Sequence, residues 1–96
     1  MARQALIECS FLIPIRRDRH LSDGRLHHTS AWQWLDEQLF AFGGATRATE
    51  LYEGWYMDPD TNKPVKDHSK KYIVALPRRK LPQFRSLLRE ACEVFQ

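Results

Sequence analysis

Apolar and polar positions alternate with a period of two over residues 6–15. Ile7, Cys9, Phe11, Ile13 and Ile15 fall on one face, and Leu6, Glu8, Ser10, Leu12 and Pro14 on the other. This pattern predicts a strand whose first face packs on helices while its mixed second face stays partly open. Pro14 has no N–H to give to a ladder and so belongs at a strand end or sheet edge. Periodicity disappears over residues 16–29, which are rich in charge and carry a turn signal at Ser22-Asp23-Gly24. They read as a long surface loop. Trp32, Leu35, Leu39 and Phe42 then recur at three- and four-residue spacing and predict an amphipathic helix. Ser30 followed by Gln33 gives it a capping-box start, and Gly43-Gly44 gives it a left-handed stop.

Residues 45–57 predict a second strand, clearest over 50–57. The run Asp58-Pro59-Asp60-Thr61-Asn62-Lys63-Pro64 is dense in turn formers, and residues 65–76 predict a third strand, so strands two and three form a hairpin. Pro77 and Pro82 bracket the start of a last helix, whose buried stripe is Phe84, Leu87, Leu88, Ala91 and Phe95, with Cys92 at its margin. The order strand-helix-strand-strand-helix predicts a single α+β domain over 1–96. Its expected form is the ferredoxin-like β-α-β-β-α layout, an antiparallel sheet with two helices on one face. That layout ordinarily places a fourth strand beside the first, and the chain stops at Gln96 directly after the second helix. An unpaired strand rich in Ile and Phe is an aggregation hazard unless something covers it, which argues for a partner.

The motif Phe42-Gly43-Gly44-Ala45-Thr46, followed by Gly54-Trp55, Asp58, Val65-Lys66-Asp67-His68-Ser69 and Tyr72-Ile73-Val74, resembles an uncharacterised bacterial family of small ferredoxin-like domains. The similarity covers the first strand through the second helix. It implies the fold and carries no established activity, and members of that family continue into a further strand.

A chain of 96 residues, 43% hydrophobic and 28% charged, supports one ordered core without metal or disulfide staples. No apolar run approaches the ~18 residues of a transmembrane helix, and residues 1–8 lack a signal-peptide pattern, so a cytoplasmic protein is expected. Cys9 and Cys92 are expected as reduced packing residues, since pairing depends on geometry that sequence does not give. The net charge of +3 is mildly basic. It favours an anionic partner only where the charge is clustered.

Two such clusters exist. Arg16, Arg17, Arg19 and Arg25 share the first loop, and Arg78, Arg79 and Lys80 precede the last helix. If both loops lie at one edge, Arg16, Arg17, Arg19, Arg78, Arg79 and Lys80 could bind nucleic acid or a smaller anion. No aromatic signature for stacking RNA bases accompanies them. His20, His27 and His28 lack the thiolates of a structural zinc site and are expected in solvent. Gly43-Gly44 closes a helix, whereas phosphate cradles open one. No cofactor and no catalytic triad can be argued.

The open sheet face offers one further candidate. Glu8 and Ser10 lie there, with either Tyr52 and Tyr56 or Glu53 and Trp55 from the second strand, and either His68 and Tyr72 or Asp67 and Ser69 from the third. Glu8, Ser10, Tyr52, His68 and Tyr72 are the pocket candidates, able in principle to do acid–base work. Trp34 and Phe40 fall off the first helix's buried stripe and could mark a contact surface. The leading expectation is an interaction domain that self-associates or docks on a protein partner. The alternatives are an anion or nucleic-acid binder using the basic loops, and a small enzyme or ligand carrier using the open face.

Overall fold

The computed structural model describes residues 5–16 and 25–95. Strand β1 (Leu6–Pro14) leads to helix α1 (Thr29–Ala41). The chain continues through the short strand β2 (Thr46–Arg47), β3 (Tyr52–Met57), the long β4 (Pro64–Pro77), a 3₁₀ turn at Arg78–Lys80, and helix α2 (Leu81–Val94). The domain is α+β, with a four-stranded antiparallel sheet and two helices. β4 is the hub. β1 pairs along one of its sides from Leu6↔Pro77 to Pro14↔Ser69, and β2 and β3 follow one another along the other side. The strand order is β1–β4–β2 with β3 also on β4. This corrects the expected ferredoxin-like strand order with its fourth strand absent: the fourth strand here comes from the second one, which is broken in two. Between Arg47↔Tyr72 and Tyr52↔Ser69, residues 48–51 stand opposite only Lys70 and Lys71, a bulge that takes Leu51 out of the ladder.

The period-two face of β1 does pack on the helices. Directly opposed residues of an antiparallel pair share a face. Ile7, Cys9, Phe11 and Ile13 therefore lie with Leu76, Val74, Tyr72 and Lys70, and their apolar members meet Leu35 and Leu39 of α1 and Phe84 and Leu87 of α2. Leu35, Val74 and Leu76 are fully enclosed. Phe11 stacks on Tyr72 with centroids 5.3 Å apart and tilts against Phe84 at 5.9 Å. Because all these residues join one cluster, both helices cover the same sheet face.

The helix boundaries show where local chemistry outran the sequence reading. α1 begins two residues earlier than the Ser30 cap predicts: His28 is the N-cap, its Nδ1 accepting from the Ser30 N–H at 3.2 Å and lying 2.8 Å from Ser30 Oγ. His27, expected in solvent, is buried edge-on between Phe95 (4.9 Å) and Trp32 (5.7 Å). His20 lies outside the described residues. At the other end the glycine stop holds. Gly43 and Gly44 have φ of +104° and +108°, and their N–H groups reach the Phe40 and Leu39 carbonyls in a Schellman arrangement. Trp34 packs against the core, whereas Phe40 is 81% exposed. Cys92 is exposed and both cysteines are free.

Beyond Ser69 β4 has no β1 beside it, and β3 with the first part of β4 continues as a two-stranded arm. The arm closes through a six-residue turn in which Asp58 Oδ1 accepts from the Asp60 N–H at 2.8 Å and Asn62 takes a left-handed φ of 54°. The molecule accordingly measures 56 × 25 × 25 Å with a radius of gyration of 15.3 Å. A compact chain of this length would have about 12–13 Å.

Candidate functional site

The two basic clusters do not meet. β1 and β4 are antiparallel neighbours, so their C-terminal ends lie at opposite ends of the shared ladder. Arg16 follows Pro14 beside Ser69, while Arg78, Arg79 and Lys80 follow Pro77 beside Leu6. Eight residue steps separate these ends, about 26 Å at the rise of an extended chain. Arg17 and Arg19 lie outside the described residues, and a single patch joining Arg16 to the second cluster is not formed.

The register also divides the pocket candidates. Glu8 opposes Ala75 and Ser10 opposes Ile73, so the odd-numbered positions of β4 share the open face. Tyr52, opposite Ser69, belongs with them, and the Lys71 ammonium sits over its ring 5.0 Å from the centroid. Tyr72 and His68 have the other parity. Tyr72 is 1% exposed in the core beside Phe11, and His68 pairs with Glu53 on the far side of the arm. Of the two sequence alternatives the structure selects Tyr52 and Tyr56 with Asp67 and Ser69, and it removes His68 and Tyr72 from Glu8 and Ser10. No group of three or more His, Cys, Asp or Glu side chains placed to hold a metal ion occurs among the described residues.

What remains at β1 is a pairing edge. The Ile15 N–H donates to the His68 carbonyl at 3.0 Å, which fixes the direction of every backbone group along the strand. Residues 7, 9, 11 and 13 turn their N–H and C=O groups toward β4, and Leu6, Glu8, Ser10 and Leu12 turn theirs away from it. Pro14 has the outward parity, so the N–H it lacks is one that β4 would not have received. Among the described residues, no strand pairs with this outward edge. The side chains flanking it on the open face include Leu6 and Leu12, 60% and 53% exposed.

A second feature escaped the sequence reading because its parts lie far apart in the chain. Asp36 of α1, Arg47 of β2, and Lys70 and Tyr72 of β4 line one cleft of about 590 Å³ on the helix side of the sheet. Of these four, only Tyr72 is a pocket candidate in the sequence, and for the opposite face. No helix is long and apolar enough to cross a membrane among the described residues. Comparison with known protein families, curated proteins and solved structures finds no match to this chain.

Proposed function

We propose that the protein is an interaction domain that self-associates through β1. In this reading the domain is ferredoxin-like, and the place beside β1 is taken by β1 of a second copy. The observation that supports it is the outward row of backbone groups at Leu6, Glu8, Ser10 and Leu12, whose direction follows from the Ile15–His68 hydrogen bond.

The strand is self-complementary in one register. Two antiparallel copies related by a twofold axis through Ser10 place Ser10 opposite Ser10, Glu8 opposite Leu12 and Leu6 opposite Pro14. The three central pairs are hydrogen-bonding pairs, and the outer two lose one bond each because Pro14 cannot donate. The result is about eight hydrogen bonds. On the helix side Ile7 meets Ile13 and Cys9 meets Phe11, extending the apolar layer across the axis. A twofold centred on Glu8 instead would oppose two carboxylates and shorten the overlap, and like charges directly opposite one another are destabilising. Pro14 limits sliding the other way, since any register that moves it inward removes a central bond.

Sedimentation and native mass spectrometry test this reading. The wild-type protein is expected to show a mass of two chains that dissociates on dilution. Ser10→Pro removes an outward N–H without touching the β4 ladder and is expected to give a single chain with an unchanged circular-dichroism spectrum. Ser10→Asp, which opposes two carboxylates across the axis, is a second variant that spares the backbone. A wild-type protein that stays monomeric at high concentration, or dimers that persist in both variants, would contradict the proposal.

A further inference from the structure

The cleft between the C-terminal half of α1, the bulge at residues 48–51 and β4 has a built polar floor. The Tyr72 hydroxyl is buried and no partner among the described residues meets full hydrogen-bond distance and angle; the Arg47 side chain comes nearest, acting on it as a weak donor. Buried hydroxyls are ordinarily satisfied, and an orphaned one at the bottom of a cavity indicates a group that arrives from elsewhere. Two cations share the site. Lys70 stands two positions before Tyr72 on the same strand face, its ammonium 4.0 Å from the centre of the Trp32 ring. Arg47 pairs with Tyr72 across the ladder. Asp36 approaches Arg47 at 4.0 Å, and both side chains are about half exposed, so this contact is weak and displaceable. The walls are apolar: Leu39 from beneath, Phe40 from α1 and Leu51 from the bulge, the last two largely exposed to solvent.

We infer that this cleft binds a small organic carboxylic acid, its carboxylate held by the Tyr72 hydroxyl, Arg47 and Lys70, and its apolar body lying against Phe40 and Leu51. The charge inventory selects the class. Two cations and one carboxylate leave a net charge of one, which a monoanionic carboxylate neutralises and a phosphate dianion exceeds. The hydroxyl supplies the donor that an incoming oxygen requires, and the planar guanidinium suits a carboxylate's two oxygens. Burial, and after it the neighbouring Arg47 charge, lowers the Lys70 pKa, while Asp36 opposes this. An added anion therefore relieves a repulsion already present. The site lies on the helix side of the sheet and requires no pairing at β1.

Nitrogen–proton NMR titration of the intact protein with benzoate and with hexanoate tests the inference. Saturable shifts are expected at residues 36, 47, 70 and 72. Tyr72→Phe is expected to weaken benzoate about 10-fold, the value of one hydrogen bond to a charged group. Arg47→Gln should weaken it further, and Asp36→Asn should tighten it, because it removes the competing carboxylate. Inorganic phosphate and neutral benzamide serve as controls and are expected to bind more weakly than benzoate. Absence of shifts at millimolar benzoate and hexanoate would overturn the inference. So would equal affinity in Tyr72→Phe, or phosphate or benzamide binding as well as benzoate.

Discussion

Along its 14 residues β4 passes through two environments, and the contrast shows what holds each half of the molecule. From Ser69 to Pro77 it has β1 on one side and two helices above it, and Tyr72, Val74 and Leu76 are sealed from water. From Pro64 to Asp67 the only strand beside it among the described residues is β3. There the apolar side chains stay out: Trp55 is 66% exposed and Met57 56%. The arm is held by its ladder, by the Asp58 turn, and by surface contacts such as Lys66 with Glu53 at 3.4 Å. A two-stranded hairpin is marginal by itself in water. The body thus draws its stability from burial, which is insensitive to salt and costly to perturb. The arm draws its stability from directional and electrostatic contacts that are individually worth little.

Mutations at matched apolar positions sharpen that contrast. Leu35→Ala, in the body, is expected to lower stability by roughly 2–5 kcal/mol through lost burial and the cavity left behind. Trp55→Ala, in the arm, is expected to change it by no more than about 0.5 kcal/mol despite removing a larger side chain. Denaturant unfolding at one fixed protein concentration checks both. A large loss from Trp55→Ala would show that the arm is covered in solution.

Within the body Tyr72→Phe is expected to act with the opposite sign. It removes a buried hydroxyl that makes no full hydrogen bond among the described residues, and so should raise stability by up to about 1 kcal/mol. A loss of similar size would mean the hydroxyl is bonded in the free protein. The same residue sets an alkaline response. Burial first, and the Asp36 charge, raise the Tyr72 pKa above 10.0, against an opposing influence of Arg47. The folded state therefore keeps this proton where the unfolded chain gives it up. The stabilisation is complete below pH 10.0 and fades as pH rises through the folded value. Tyrosinate absorbance should show Tyr72 titrating late, and Tyr72→Phe should flatten stability in that window.

A small effect, and one that a second substitution should erase, belongs to Gly54 in the arm. A Cβ there would stand 2.5 Å from Asp67 Oδ1, the movable end of a short side chain. Gly54→Ala is expected to cost less than about 1 kcal/mol, and to cost nothing measurable when Asp67→Ala accompanies it, because the crowded atom is then gone.

The parts of this architecture that were legible in the sequence are those that local periodicity determines. The Ile7-to-Ile13 face of β1, the Phe84-Leu87-Ala91 stripe of α2, the glycine stop of α1 and the Asp58–Lys63 turn all follow from spacing or turn chemistry within a dozen residues. The break between β2 and β3 was not legible, because Ala48-Thr49-Glu50-Leu51 contains no Gly, Pro or Asn to mark a turn and only the register on β4 shows that these residues bulge. Facing was half legible. The alternation reduced Tyr52, His68 and Tyr72 to two choices each, and deciding between them required knowing which β1 residue each one opposes. The Asp36-Arg47-Lys70-Tyr72 cleft was invisible, since its members come from α1, β2 and β4 and share no motif.

The central claim is that β1 completes its sheet with a second copy, and amide hydrogen exchange measured at several protein concentrations tests it most directly. The N–H groups of residues 7, 9, 11 and 13 face β4 and are expected to be protected at every concentration. Those of Glu8, Ser10 and Leu12 face outward and should be protected only as the dimer forms, with Ser10→Pro abolishing the concentration dependence at Glu8 and Leu12. Outward amides that exchange as freely at high concentration as at low would contradict the account.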